Sequence, residues 1–128
     1  MTIPADLKYT ATHQWVRLEG DGTATVGITD YAQEQLGDVV FVQHPEIGRK
    51  VKRGENCAVV ESVKAASDIP APLSGEIIEV NAAVADVPEK LNQTPYASWL
   101  FRVRIAIPSE IGALLDAAAY QNLVSGKQ

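Results

Sequence analysis

The chain has one cysteine, Cys57, in 128 residues, which excludes an intramolecular disulfide and a thiolate metal cluster. It is short of positive charge: eleven Lys and Arg stand against sixteen Asp and Glu, a net charge of −5. A basic stripe is absent, so binding along a phosphate backbone has no electrostatic footing and nucleic acid is excluded as a partner. No apolar run reaches the roughly 18 residues of a membrane-spanning helix. Met1–Asp6 has neither a basic start nor an apolar h-region, so the expected location is the cytoplasm; a mature organelle protein beginning with Met would read the same. A Ser-His-acid set, a glycine-rich phosphate loop and a metal cluster are all missing, which leaves an enzyme without support.

What is present is a globular composition, 46% hydrophobic and 21% charged, of a length that suits one domain, 1–128. Trp15–Leu18 and Thr23–Gly27 flank Glu19-Gly20-Asp21-Gly22 as a β-hairpin. Asp30 and Gln33 have capping-box spacing, with Gly37 as the C′ residue of a short helix. Val39–Gln43, Val51–Glu55, Asn56–Glu61, Ser67–Leu73, Glu76–Val80 and Leu100–Ile105 read as extended. Cys57 lies in an apolar run and reads as a small buried hydrophobe. Ser109 can cap a terminal amphipathic helix over about 109–123, carrying Ile111, Leu114, Leu115 and Ala118 on one face; Val124–Gln128 are expected to fray. Gly37–Val42 echoes Gly75–Val80, which suggests two similar β motifs related by a pseudo-dyad. Short strands with Gly and Pro turns indicate a mainly β barrel or sandwich with added helices.

Lys64 stands between the two echoes. Ser62-Val63-Lys64-Ala65 suits a type I turn with no positive φ, which would hold the lysine in solvent at the tip of a hairpin. A lysine that activates itself for Schiff-base chemistry needs burial or a neighbouring cation. Lys52 and Arg53 lie a strand away, whereas Glu61 and Asp68 are acidic. Two uses remain: an ordinary solvated turn residue, or an amine to which another enzyme attaches a group.

The residues around it decide between these. Glu61–Ile69 and Ala71–Asn81 resemble the lipoylation segment of the glycine cleavage system H proteins. Thr12–Val16, Val26–Gln33, Leu36–Val42, Pro95-Tyr96, Trp99–Phe101 and Leu114–Ala117 with Tyr120 extend the resemblance over nearly the whole chain. It implies a lipoyl/biotinyl-type barrel-sandwich hybrid, its β core at about 23–106, and a carrier rather than an enzyme. Lys64 would bear lipoate as an amide. Glu61 and Gly75 match positions read by the lipoylating enzyme, a lipoate ligase or lipoyl/octanoyl transferase. Gly75 also reads as an ordinary turn glycine, and Glu61 equally as a solvated strand end. Thr12, Gln14 and Asp68 match positions of a cleft that shelters the loaded arm from water. Implied partners are the pyridoxal-phosphate glycine decarboxylase, the tetrahydrofolate-dependent aminomethyltransferase and dihydrolipoyl dehydrogenase. Biotin acceptors flank the lysine with Met and 2-oxo-acid dehydrogenase domains read Asp-Lys-Ala; Val63-Lys64-Ala65 fits neither fully. A lipoyl domain serving a 2-oxo-acid dehydrogenase and an H-like lipoyl relay are the alternatives.

Four positions depart from the family pattern. Gln14 replaces a usual glutamate, so an ammonium on the loaded arm would meet an amide without charge and be held less firmly than after Gln14→Glu. Pro70 stands where tyrosine is common and stiffens the strand. His44, with no other ligand nearby in sequence, reads as a partly exposed strand residue rather than a metal ligand. Pro95–Trp99 is shorter than usual and lacks the glycine before tryptophan.

Overall fold

The computed structural model describes residues 2–126. The strands are β1 (Lys8–Tyr9), β2 (Gln14–Leu18), β3 (Thr23–Ile28), β4 (Val39–Gln43), β5 (Lys50–Val51), β6 (Asn56–Ser62), β7 (Ala66–Pro70), β8 (Gly75–Val80) and β9 (Phe101–Ile105). The helices are α1 (Asp30–Leu36), α2 (Ala82–Asp86), α3 (Lys90–Gln93) and α4 (Ala117–Val124), with a 3-10 turn at Pro108–Ala113. The chain is mainly β, as its strand-and-turn pattern indicates.

The strands form two antiparallel sheets, one in the order β1-β2-β3-β9-β8-β5 and the other in the order β4-β6-β7. Between them lies a continuous core that includes Val16, Val26 and Val103 from the larger sheet and Val42, Val60 and Ile69 from the smaller. Alternate residues on each strand face inward, which is why β9 reads Phe-Arg-Val-Arg-Ile and buries Phe101 and Val103. The two echoing segments fall in different sheets, β4 in the smaller and β8 in the larger.

A second cluster holds Leu7, Tyr9, Trp15 and Tyr120. Tyr9 and Tyr120 stack at 4.7 Å, fastening α4 to the N-terminal strands. Trp15 donates its indole N–H to the Pro95 carbonyl at 3.0 Å, which anchors the 95–99 loop.

Several boundaries differ from the expectation. Thr29, not Asp30, caps α1, its hydroxyl accepting from Ala32 N; Gln33 still reaches back to Asp30 Oδ1 at 2.8 Å. The extended stretch expected at Val51–Glu55 stops at Val51, because Lys52–Glu55 turns on Gly54 at φ 88°. The single terminal helix is two pieces. Leu115 exchanges both backbone hydrogen bonds with Tyr9 at 2.7 and 2.8 Å, which holds it extended, and Asp116 then caps α4 by accepting from Ala119 N. Ser109 makes no cap bond. Val124 closes α4 instead of fraying, and of the tail, residues 127–128 lie outside the described residues. His44 follows β4 rather than belonging to it. It is half-buried, and its Nε2 is enclosed without a hydrogen-bond partner among the described residues.

Candidate functional site

The β6–β7 hairpin carries Lys64 at its tip. Ser62 builds the turn: its N–H donates to Ala65 O at 2.8 Å, and its hydroxyl oxygen accepts from the N–H groups of Lys64 and Ala65 at 3.2 Å each. Neither Val63 nor Lys64 takes a positive φ. Val63 N–H donates to Asp38 O at 3.0 Å, tying the tip to the start of β4. Lys64 is exposed, and its stem passes over Gly37 at the C-terminal end of α1. A Cβ built on Gly37 would stand 3.2 Å from Lys64 Cε and 3.8 Å from Nζ. Gly37 also holds φ 78°, which favours glycine at the helix stop, while the exposed lysine stem could yield a few tenths of an ångström to a Cβ there.

Beside this path lies a cavity of about 160 Å³ between α1 and β7. It is lined by Ala32, Gln35 and Leu36 of α1, Ser67 and Ile69 of β7, Ile28, and Thr12, His13 and Gln14. Ser67 is three residues beyond Lys64, about 10 Å along an extended strand. A larger cavity of about 420 Å³ shares Thr12 and Gln14 but sits at the open end of the hairpin, by Asn56, Pro70 and Pro72. Because it lies at the end opposite the lysine, the smaller cavity is the relevant one.

Thr12, exposed, and Gln14, buried, meet in the cavity wall. Gln14 is only 2% exposed. Its Oε1 accepts from the hydroxyls of Thr10 and Thr12 at 2.8 and 2.6 Å, while Nε2 donates to Thr12 O at 2.6 Å. Asp68 is not brought to them. It pairs with Val59 across the sheet, whereas Ser67 and Ile69 pair with Val60 and Ala58. The strand's period of 2 therefore turns Asp68 to the outer face, where it is exposed and lines neither cavity. Glu61, opposite Phe41 and Ala66, shares that outer face.

Gly75 lies in the other sheet, between β5 and β9. A Cβ there would fall 2.0 Å from Arg104 O and 2.8 Å from Val103 Cγ2. Close strand approach demands glycine at this position, rather than the turn conformation expected from the sequence.

His13, inside the Thr12–Val16 segment, carries no role in the sequence pattern but links three elements of the structure. It is the one described non-glycine residue with positive φ, 72°. Its carbonyl accepts from Thr29 N–H at 3.1 Å, and its Nδ1 meets Tyr120 OH at 2.9 Å, a hydroxyl that also meets Thr29 Oγ1 at 2.6 Å. One imidazole thus joins the cavity wall, the N-cap of α1 and α4. Burial lowers the His13 pKa below its ordinary value and pushes Tyr120 up to about 12. Asn92 of α3 is a second residue without a sequence signal. It accepts from Val39 N–H at 2.9 Å and donates to Gly37 O and Gln33 Oε1 at 2.8 and 3.0 Å, bracing the α1–β4 corner under the lysine.

With this geometry in hand, three comparisons bear on identity. The family model described as Glycine cleavage H-protein matches residues 7–127. A glycine cleavage system H protein of Thiobacillus denitrificans is 57% identical over 127 residues, 99% of this chain and 98% of that one. Its counterpart in Paraburkholderia phytofirmans is 62% identical over 120 residues, 94% and 95% of the two chains. The crystal structure of a glycine cleavage system H protein from Mycobacterium marinum superposes with a TM-score of 0.89 at 46% identity, covering 96% of this chain and 99% of that one.

Proposed function

The chain belongs to the glycine cleavage H-protein family, and on that premise we propose that it is a lipoyl carrier whose arm is attached to Lys64. The observation that carries this reading is the placement of Lys64. Its amine is exposed for a modifying enzyme, its stem is laid over Gly37, and a cavity of mixed polar and apolar lining opens beside it. Ile28, Ala32, Leu36 and Ile69 suit the hydrocarbon of a lipoyl arm, while the open hairpin tip leaves room for it to swing out. Lipoate supplies a disulfide–dithiol pair, the chemistry needed to take the aminomethyl group of glycine from glycine decarboxylase, yield it to aminomethyltransferase and be reoxidised by dihydrolipoyl dehydrogenase. The protein's own contribution is transport: a tethered group meets each partner at high local concentration. No helix among the described residues is long and apolar enough to cross a membrane; we place the carrier in the cytoplasm with its partners.

Within the cavity, Thr12 and Gln14 form the polar end. Gln14 Oε1 is already satisfied by two hydroxyls, and the remaining N–H of its amide is a donor. It therefore offers an ammonium neither charge nor a free acceptor, in keeping with a loosely held arm.

The test is intact mass before and after incubation with a lipoate ligase, ATP and lipoate. One lipoyl increment is expected on the wild type and none on Lys64→Ala. No increment on the wild type, or an undiminished one on the variant, defeats the reading. Glycine-dependent loading by the decarboxylase then separates glycine cleavage from a lipoyl relay or a 2-oxo-acid dehydrogenase module.

A further inference from the structure

The outer face of the three-stranded sheet is unusual for a solvated surface. Three of the seven exposed large apolar side chains among the described residues gather at its Lys64 end: Val40 at 55% exposure, Phe41 at 48% and Val63 at 67%. A β-bulge explains the first two. The β4–β6 register shifts between Val39 and Phe41, so Val39 pairs with Ser62 and Phe41 with Glu61, leaving Val40 as the extra residue. Bulges at sheet edges re-aim side chains, and here Val40 and Phe41 are both left in solvent while Val39 and Val42 remain in the core. Pairing carries the row onward from Phe41 to Glu61 to Ala66, and the next row from Gln43 to Val59 to Asp68. Glu61 and Asp68 therefore flank the apolar group on one face. Neither has a basic partner within ion-pairing distance among the described residues, although Glu19, Glu55, Glu76 and Glu79 each have an arginine.

We propose that this face, centred on Phe41 and extending to Val40, Val63 and Asp68, is the docking surface for the enzyme that acylates Lys64. The inference rests on Lys64 being the lipoyl site. An enzyme that encloses the Lys64 amine must cover the turn, and the turn is continuous with Val63 and, through the Val63–Asp38 backbone bond, with β4. The charge pattern specifies the occupant's chemistry: an apolar recess for the Phe41 ring, rimmed by basic groups that pair with Asp68 and Glu61. Desolvated aromatic anchors ringed by polar contacts carry most of the free energy at such interfaces, and uncompensated charges steer encounter. The opposite face of β7 gives Ser67 and Ile69 to the cavity, so docking on the outer face leaves the cavity free.

The experiment uses the unmodified full chain with a lipoate ligase, measuring both acylation by intact mass and the Kd of the ligase–chain complex. Phe41→Ser is expected to raise KM and Kd about tenfold while kcat stays within about twofold. Asp68→Asn, which preserves shape, is expected to weaken binding at low salt and to flatten its salt dependence. Val87→Ser, also an exposed apolar position but on another element, serves as the control and should change neither. Wild type that takes no lipoyl group overturns the Lys64 reading itself. Wild type that is acylated, with Phe41→Ser and Asp68→Asn indistinguishable from it, overturns the docking proposal alone. An equal loss in Val87→Ser also overturns it. So does a defect confined to glycine-dependent loading, which would give the face to the decarboxylase. A wild-type dimer dissolved by Phe41→Ser with acylation unchanged would give it to a second copy and likewise overturn the proposal. Thermal unfolding of each variant guards against loss of fold, and Asp68→Asn keeps the test decisive should Phe41→Ser fail to fold.

Discussion

Replacing Gln14 by glutamate changes one NH2 group to oxygen in a buried side chain whose amide makes three hydrogen bonds. Gln14 is 2% exposed, and Nε2 donates to Thr12 O at 2.6 Å. The two hydroxyls can still donate to one carboxyl oxygen. The other oxygen then faces a carbonyl, acceptor against acceptor. If the glutamate ionises, it forfeits a buried hydrogen bond and gains a repulsion, a loss of about 1–3 kcal/mol or more. If it keeps a proton, all three bonds survive, but holding that proton at pH 7 against an ordinary glutamate pKa of ~4.3 costs about 3.7 kcal/mol. The cheaper route sets the outcome, so Gln14→Glu is expected to lose about 1–3.7 kcal/mol at pH 7. The pH dependence follows from a folded pKa raised above the unfolded one. The deficit is full above the folded pKa, shrinks as pH falls, and vanishes below ~4.3, where both states are protonated. Urea unfolding of both proteins at pH 7 and pH 4 measures it. Equal stability at pH 7, or a deficit of the same size at both pH values, would refute the reasoning. The variant also gains a charge for the loaded arm only once ionised, so its slower hydrolysis of the aminomethyl-loaded form should emerge above that pKa; equal rates throughout would remove the arm-holding role of residue 14.

The His13 site makes its own pH prediction. Burial lowers its folded pKa, so the unfolded chain takes up the proton first; stability is present above ~6.5 and lost as pH falls through ~6.5 toward the folded value. His13→Asn tolerates the positive φ and should reduce the fall in stability between pH 7 and pH 5; an unchanged slope leaves the effect to His44, which burial shifts the same way. Gly75→Ala places a Cβ 2.0 Å from Arg104 O, so β8 and β9 must part, at about 3 kcal/mol or more. Denaturant unfolding checks this, and acylation rates expressed per folded molecule should be near wild type if Gly75 acts only through the fold. Cys57 is 7% exposed with its thiol pushed up to about 11 by burial, so a thiol reagent at pH 8 should label it only at the rate of unfolding; fast labelling of the native chain would contradict its packing.

The strands were legible where their side chains alternate and the turns are marked by glycine: β4 and β9, and the Lys64 turn, stand within a residue of their expected places. Elements with little periodicity were not. α2 and α3 bury one residue each, Val84 and Leu91, too few to register as a helical face, and β1 is two residues held by pairing. The terminal helix failed for a different reason. Ile111, Leu114 and Leu115 do have helical spacing, but Leu115 is claimed by the backbone of Tyr9, a long-range contact that local pattern cannot report; only Asp116 ahead of three alanines marked the true N-cap. At the proposed site, the motif singled out Lys64, Thr12 and Gln14, and the fold sets Thr12 and Gln14 in one cavity wall with Lys64 at the hairpin tip. His13 and Asn92 act through partners up to 107 residues away, and Asp68 required the register.

That register gives the hairpin two sides. A β-hairpin turns successive residues to opposite faces, so the strands that present Lys64 have two distinct surfaces. The inner one supplies Ser67 and Ile69 to the cavity, and the outer one supplies Glu61 and Asp68 to solvent. A carrier has two incompatible needs: its cargo must be sheltered from water, and its attachment point must be recognised from outside. On the proposed function and docking face, strand alternation assigns one need to each surface from a segment of a dozen residues. It follows that a one-residue insertion between Ala65 and Ser67 should exchange the faces, sending Asp68 inward and Ile69 to water. The loss of that core contact would be measurable as destabilisation before any change in loading could be read.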